Sequence, residues 1–262
     1  MRNQQKRWMG LLLAAALLLS ACGKRGEDAP VDGPPPDPPP AGQPEAGPAE
    51  LPPALAAKFE ALSLLDARLG NPYSTEDKGP LLEEAAQRFD EILGAPQTFA
   101  LGGGQLMAPG GHLACVTGEA LAFGGGQVRL VEYGRDGPEP EDRLFYTLQY
   151  AAGTPGAERI VTMDNAGPYS ARSIGSRLLA DGEALYFLAF NLVEAPDGPA
   201  ALPIALVRGE AGFEAAADFE PLPLAEGYAL SEVEDGLALA LGGADGGETC
   251  RLTVEGGQVL LK

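Results

Sequence analysis

Ala184-Leu185-Tyr186-Phe187-Leu188-Ala189-Phe190-Asn191-Leu192-Val193 is the stretch that decides the fold. Apolar residues fill both alternating sets of positions, and Asp181-Gly182 and Asp197-Gly198 bound it on either side. A strand of this kind has both faces covered, so it belongs in the middle of a sheet. Upstream, Arg143–Ala151 alternates with a period of two. Leu144, Tyr146, Leu148 and Tyr150 share one face, while Arg143, Thr147 and Gln149 share the other. Further strand-like runs are Val128–Tyr133, Arg159–Met163, Leu202–Arg208, Leu237–Leu241, Thr249–Val254 and Gln258–Leu261. Asp181-Gly182 and Asp235-Gly236 are dipeptides suited to two-residue hairpin turns, because glycine adopts positive φ cheaply. Residues 97–262 are therefore expected to form mostly antiparallel sheet.

Two helices are expected before the sheet. Leu55, Phe59, Leu62, Leu65 and Leu69 recur at helical spacing after Pro52-Pro53, and Gly70 with Pro72 stops the segment. Pro80–Leu93 carries Leu82, Ala85, Phe89 and Ile92 on one stripe, with Glu83 and Glu84 near the positive end of the helix dipole. The expected class is α+β: a helical hairpin (54–94) packed on a β-rich region (97–262), either a sandwich or a curled, barrel-like sheet, within a single globular domain spanning 54–262.

One element recurs. Phe99-Ala100-Leu101-Gly102-Gly103-Gly104-Gln105-Leu106 closely matches Leu121-Ala122-Phe123-Gly124-Gly125-Gly126-Gln127-Val128, and Leu252–Val259 repeats it with changes. The unequal spacing fits no fixed repeat period. Repeated use of one glycine turn explains it better than duplicated propeller blades.

The N-terminus has a different character. Arg2, Lys6 and Arg7 precede the apolar run Leu11–Leu19, and Leu19-Ser20-Ala21-Cys22 closes it. This is the anatomy of a secretory signal over residues 1–21. The stretch from Met9 to Ala21 is short of the roughly 20 residues that span a bilayer as a helix. With cysteine directly after the small residues, the segment resembles the lipobox of bacterial lipoproteins. That resemblance implies that Cys22 is acylated, becomes the first mature residue and holds the protein to the membrane of the cell envelope. Gly23 in place of Asp then favours the outer membrane where the source has two membranes. An ordinary signal peptide with an incidental cysteine is the alternative.

From Gly23 to Pro53, 11 of 31 residues are proline, with almost no large apolar side chain. Such a segment cannot bury enough surface to fold and favours extended polyproline backbone. Residues 22–53 are read as a tether with an upper reach of roughly 95 Å.

Removing Arg2, Lys6 and Arg7 with the signal leaves 15 Lys+Arg against 37 Asp+Glu, a net charge near −22. A surface this acidic repels nucleic-acid phosphates and anionic headgroups, so no nucleic-acid partner is expected. Trp8, the only tryptophan, lies in the signal. The mature chain thus lacks the indole platform that many sugar sites use.

Cys115 and Cys250 are the only cysteines after Cys22. In an exported, oxidising compartment an even count favours a disulfide between them, with buried free thiols or a reactive or metal-binding cysteine as alternatives. His112 is the only histidine, and no G-x-S-x-G or H-E-x-x-H pattern occurs. The cluster Gly242–Gly247 precedes another strand rather than a helix, so it reads as a turn and not as a dinucleotide cradle. Asp136–Asp142 is acidic but lacks calcium-loop spacing. Tyr146 and Tyr150 share a face with Leu148, which favours core packing over a ligand pocket. No catalytic residue, cofactor or metal ligand is indicated. The expected role is a non-enzymatic binding or scaffolding protein of the envelope with an unidentified protein partner. Alternatives are a small-ligand or lipid-binding module and a carboxylate-dependent hydrolase.

Overall fold

The computed structural model describes residues 51–107, 111–135, 144–151, 156–160, 172–243 and 247–262. The signal-like segment with Cys22, the tether up to residue 50 and the acidic stretch 136–142 lie outside the described residues. No helix among the described residues is long and apolar enough to cross a membrane.

Helix α1 (Pro53–Leu69) starts with proline in its first turn and buries Leu55, Leu62, Leu65, Asp66 and Leu69. Helix α2 (Lys78–Leu93) begins two residues before the expected Pro80 because Asp77 caps it, accepting from the Gly79 N–H at 3.0 Å. With this earlier start Glu83 and Glu84 fall outside the first turn; Glu83 pairs with Arg159, and Glu84 with Arg88. A 3-10 turn (Pro96–Ala100) and a short helix α3 (Gly103–Leu106) follow.

Among the described residues every strand pairing is antiparallel, and the strands form three sheets. The first contains β1 (Ala114–Thr117), β2 (Leu121–Phe123), β3 (Gly126–Gly134), β4 (Leu144–Tyr150) and β5 (Ala157–Ile160). Its order is β1-β3-β4-β5, and β2 continues the edge that β1 begins beside β3. The middle sheet contains β6 (Arg172–Asp181), β7 (Ala184–Ala195), β8 (Gly198–Gly209), β9 (Gly212–Ala217) and β10 (Leu222–Pro223), in the order β10-β8-β7-β6 with β9 also on β8. The third is a meander of β11 (Ala229–Val233), β12 (Gly236–Ala240), β13 (Thr249–Glu255) and β14 (Gln258–Leu261). The protein is thus α+β and β-rich, but its sheets are three open layers. No closed barrel is formed among the described residues.

The layers are joined by three cores. Residues of α1 and α2 share the first with Val131, Tyr133 and Phe145 of the first sheet. The second joins the opposite face of that sheet (Leu130, Tyr146, Leu148) to Leu185, Phe187 and Ala189 of β7. Leu188 and Phe190, on the other face of β7, join Leu237, Leu239 and Leu252 of the third sheet. β7 is covered on both faces and flanked by β6 and β8.

The alternation in β4 is kept, yet its polar face is not solvated. All seven residues are buried. Gln149 donates to the Leu93 carbonyl at 3.2 Å and the Thr98 hydroxyl at 2.7 Å, and Thr147 donates to Asp90 at 2.8 Å. Arg129 completes this layer, 7% exposed, donating through Nε and Nη2 to Gln149 Oε1 at 2.9 and 2.6 Å. Its Nη2 also donates to the carbonyls of Thr98 at 3.2 Å and Leu101 at 2.8 Å, and Phe99 stacks on the guanidinium at 4.8 Å.

The recurrent glycine segment folds in two ways. Gly124-Gly125 (φ 57° and 77°) and Gly256-Gly257 (φ 57° and 78°) make the same two-residue turn, in which both central residues need positive φ. The first copy instead enters α3, where the Gln105 side chain accepts from the Gly102 N–H at 2.9 Å. Asp235-Gly236 is also shifted: Val233 pairs with Gly236, so the turn is Glu234-Asp235.

Tyr133 stacks on Phe89 with centroids 3.9 Å apart, and its buried hydroxyl has no hydrogen-bond partner among the described residues. Burial, followed by the neighbouring Asp66, raises its pKa. A buried donor left unmade costs about 1–3 kcal/mol. Tyr133→Phe is therefore expected to be neutral or to stabilise the protein by about 1 kcal/mol in urea unfolding. A clear loss of stability would show that the hydroxyl has a partner.

Candidate functional site

Three sheet edges meet on one side of the stack. The β1–β2 edge of the first sheet, β6 at the end of the middle sheet and β11 at the end of the third enclose a trench of about 310 Å³. A contiguous hollow of about 260 Å³ extends it past Val116, Thr117 and Glu132. Ser176, Arg177, Leu178, Leu179 and Ala180 all line the trench. Successive side chains of a strand point to opposite faces. Five consecutive lining residues therefore mean that the cleft runs along the edge of β6 and not over one face. Among the described residues, β6 pairs only with β7.

The rim is acidic. Glu119 and Glu132 stand on the first-sheet side, and Glu232 and Glu234 on the third. Arg177 is the one cation among the lining residues. It donates to the Gly236 carbonyl at 2.8 Å and lies 3.7 Å from the Glu232 carboxylate. Ser176 donates to Glu132. Leu121, Leu130 and Leu178 form the floor. No group of three or more metal-ligating side chains occurs among the described residues.

A second concavity of about 600 Å³ lies at the opposite edge of the middle sheet, where the chain leaves β9 and crosses to β10. It is lined by Leu202, Ile204, Leu206, Phe213 and Phe219, with Asp218 as its charged residue.

The structure separates the two cysteines expected to pair. Cys115 lies in β1, against the helix-facing core, and Cys250 in β13 of the third sheet; both are free thiols. The disulfide expectation is thereby corrected. Burial pushes the Cys115 thiol up to about 12, with Arg129 pulling weakly the other way. The Cys250 thiol is raised too, by burial and then by Glu248. Thiols held protonated are poor nucleophiles, which protects them from oxidation. Alkylation in denaturant without reductant is expected to add two adducts at Cys115 and Cys250 by mass spectrometry; a protein labelled only after reduction would contradict the free thiols.

His112 is structural. Its N–H and that of Leu113 donate to the buried Asp66 carboxylate at 2.8 and 3.1 Å. The imidazole occupies the space where a Cβ on Gly70 would stand, which explains a glycine at the end of α1. Tyr146 packs on Phe187 at 4.9 Å, and Tyr150 donates to Glu158 at 2.8 Å, beside Arg208 on the same oxygen. Burial, then Glu158, raises the Tyr150 pKa. Both tyrosines are core residues. β12 and β13 pair directly, so the glycine cluster joins two strands; residues 244–246 lie outside the described residues.

Asp90 accepts from Thr147 and pairs with Arg159 Nη2 at 2.6 Å. Burial nevertheless raises its pKa, outweighing these contacts. The group sits between α2 and β4 and ties the layers together.

The β6 edge was missed in the sequence, although Asp181-Gly182 implied a hairpin with a first arm at this place. Glu119, Glu232 and Glu234 carried no local signal, since the trench is assembled from three remote segments. Comparison with protein families, with curated protein sequences and with solved structures gave no match to this chain.

Proposed function

We propose that this chain is an envelope lipoprotein, anchored through an acylated Cys22, whose β-rich domain binds or scaffolds another envelope protein. The sequence Leu19-Ser20-Ala21-Cys22 carries the anchoring. By the same resemblance Gly23 favours the outer membrane in a two-membrane cell, and the proline-rich segment 23–53 would separate domain from bilayer. Two or three acyl chains hold a protein stably where one is marginal, at about 0.8 kcal/mol per buried CH₂. Within the domain, α1 and α2 act as a helical hairpin that closes one side of the stack, leaving strand edges for the partner. The open, acidic edge of β6 supports a binding role.

Metabolic labelling with palmitate is the direct test. Label is expected on the wild-type chain and absent from Cys22→Ser; an unlabelled wild type overturns the anchoring.

A second reading is favoured by the 600 Å³ concavity beside β8, whose leucine, isoleucine and phenylalanine lining suits an acyl chain. Palmitate binding by the purified chain, abolished by Ala215→Trp, would support it; equal binding by that variant would remove it.

A further inference from the structure

We propose that the outer edge of β6 receives an extended, cationic segment of a partner protein as an added strand of the middle sheet. This rests on the binding role above and assigns its surface and the chemistry of its partner. Consecutive residues Ser176–Ala180 line the trench, so the edge of the strand, and not one of its faces, borders the cleft. A strand edge offers a row of N–H and C=O groups, and such edges bind peptides through main-chain hydrogen bonds. Beyond a bulge at Ser173–Gly175, β6 pairs regularly with β7 as far as Asp181, so its backbone is set for a further strand.

The edges of the first and third sheets wall the trench on either side of β6. An inserted strand would alternate its side chains between the two walls. Glu119 stands on one wall and Glu232 and Glu234 on the other, so cationic side chains are complemented on both. A second copy of this chain is a poor occupant: the protein carries a net charge of −19, and pairing β6 with β6 would bring the same carboxylates together.

The test uses the purified full chain in detergent micelles and a fluorescent peptide repeating Lys-Lys-Val-Val, which sets lysine on both faces of a strand. The peptide is expected to bind, more weakly as salt is raised. Hydrogen exchange is expected to slow at residues 176–180. The doubly substituted chain Glu119→Gln, Glu234→Gln is expected to bind about tenfold more weakly, with its unfolding midpoint unchanged. A peptide repeating Glu-Glu-Val-Val should not bind. Backbone N-methylation of the lysine peptide removes donors and keeps charge, so it should abolish binding. Equal binding of the methylated peptide, protection outside 176–180 or no binding at all would overturn the proposal. The first result would mean charge attraction alone, and the last an edge merely guarded by its carboxylates. None of these outcomes touches the palmitate labelling of Cys22, so the anchoring stands or falls separately.

Discussion

Arg129→Met is expected to destabilise the protein by about 3 kcal/mol, because it strips donors from buried acceptors worth about 1–3 kcal/mol each when left unpaired. Gln149 Oε1 loses both its arginine bonds, and the carbonyls of Thr98 and Leu101 lose Nη2. The loss is below the plain sum, since burying the guanidinium is itself costly; burial already lowers its pKa. Equilibrium urea unfolding reads the effect. In a double-mutant cycle, Gln149→Leu should cost less in the Arg129→Met background than alone. A single variant within about 0.5 kcal/mol of wild type would show that water takes over these acceptors.

Phe187→Ala is expected to cost about 3–5 kcal/mol, the range for removing a buried ring. Phe187 is fully buried in the core between the first two sheets and packs on Tyr146. The cavity closes only in part, because the β7 backbone is fixed by strands on both sides. Against a total stability of about 5–15 kcal/mol, this threatens the folded state at 37 °C. Phe187→Leu should recover most of the loss. A drop under about 1 kcal/mol in the alanine variant would mean that the two sheets collapse onto each other.

The centre of the fold was legible because burial leaves a mark on composition. Ala184–Val193 could be apolar on both faces only if something covered both, and the first and third sheets do so. The burial of Thr147 and Gln149 left no such mark, for the complementary reason: polar side chains look the same in water and in a satisfied interior. Their partners, Asp90, Leu93 and Thr98, lie 51 to 57 residues away in the chain. The glycine repeat shows the limit of local information, since one motif turns a hairpin twice and starts a helix once. What differs is the surroundings: a preceding 3-10 turn in one case, a pairing strand in the others. The two cysteines were read from compartment and parity, but a bridge needs proximity, and their strands belong to different sheets.

The layers stack in the order in which the chain supplies them: helices, then first, middle and third sheet, each from one continuous span. Most strand partners are therefore neighbours in sequence, a low-contact-order arrangement that favours fast folding for a β-rich protein. Assembly is expected to grow in chain order, each finished layer offering an apolar template to the next. Among the described residues the third sheet has a neighbouring layer on one side only, so in native-state hydrogen exchange it should open before β7 does.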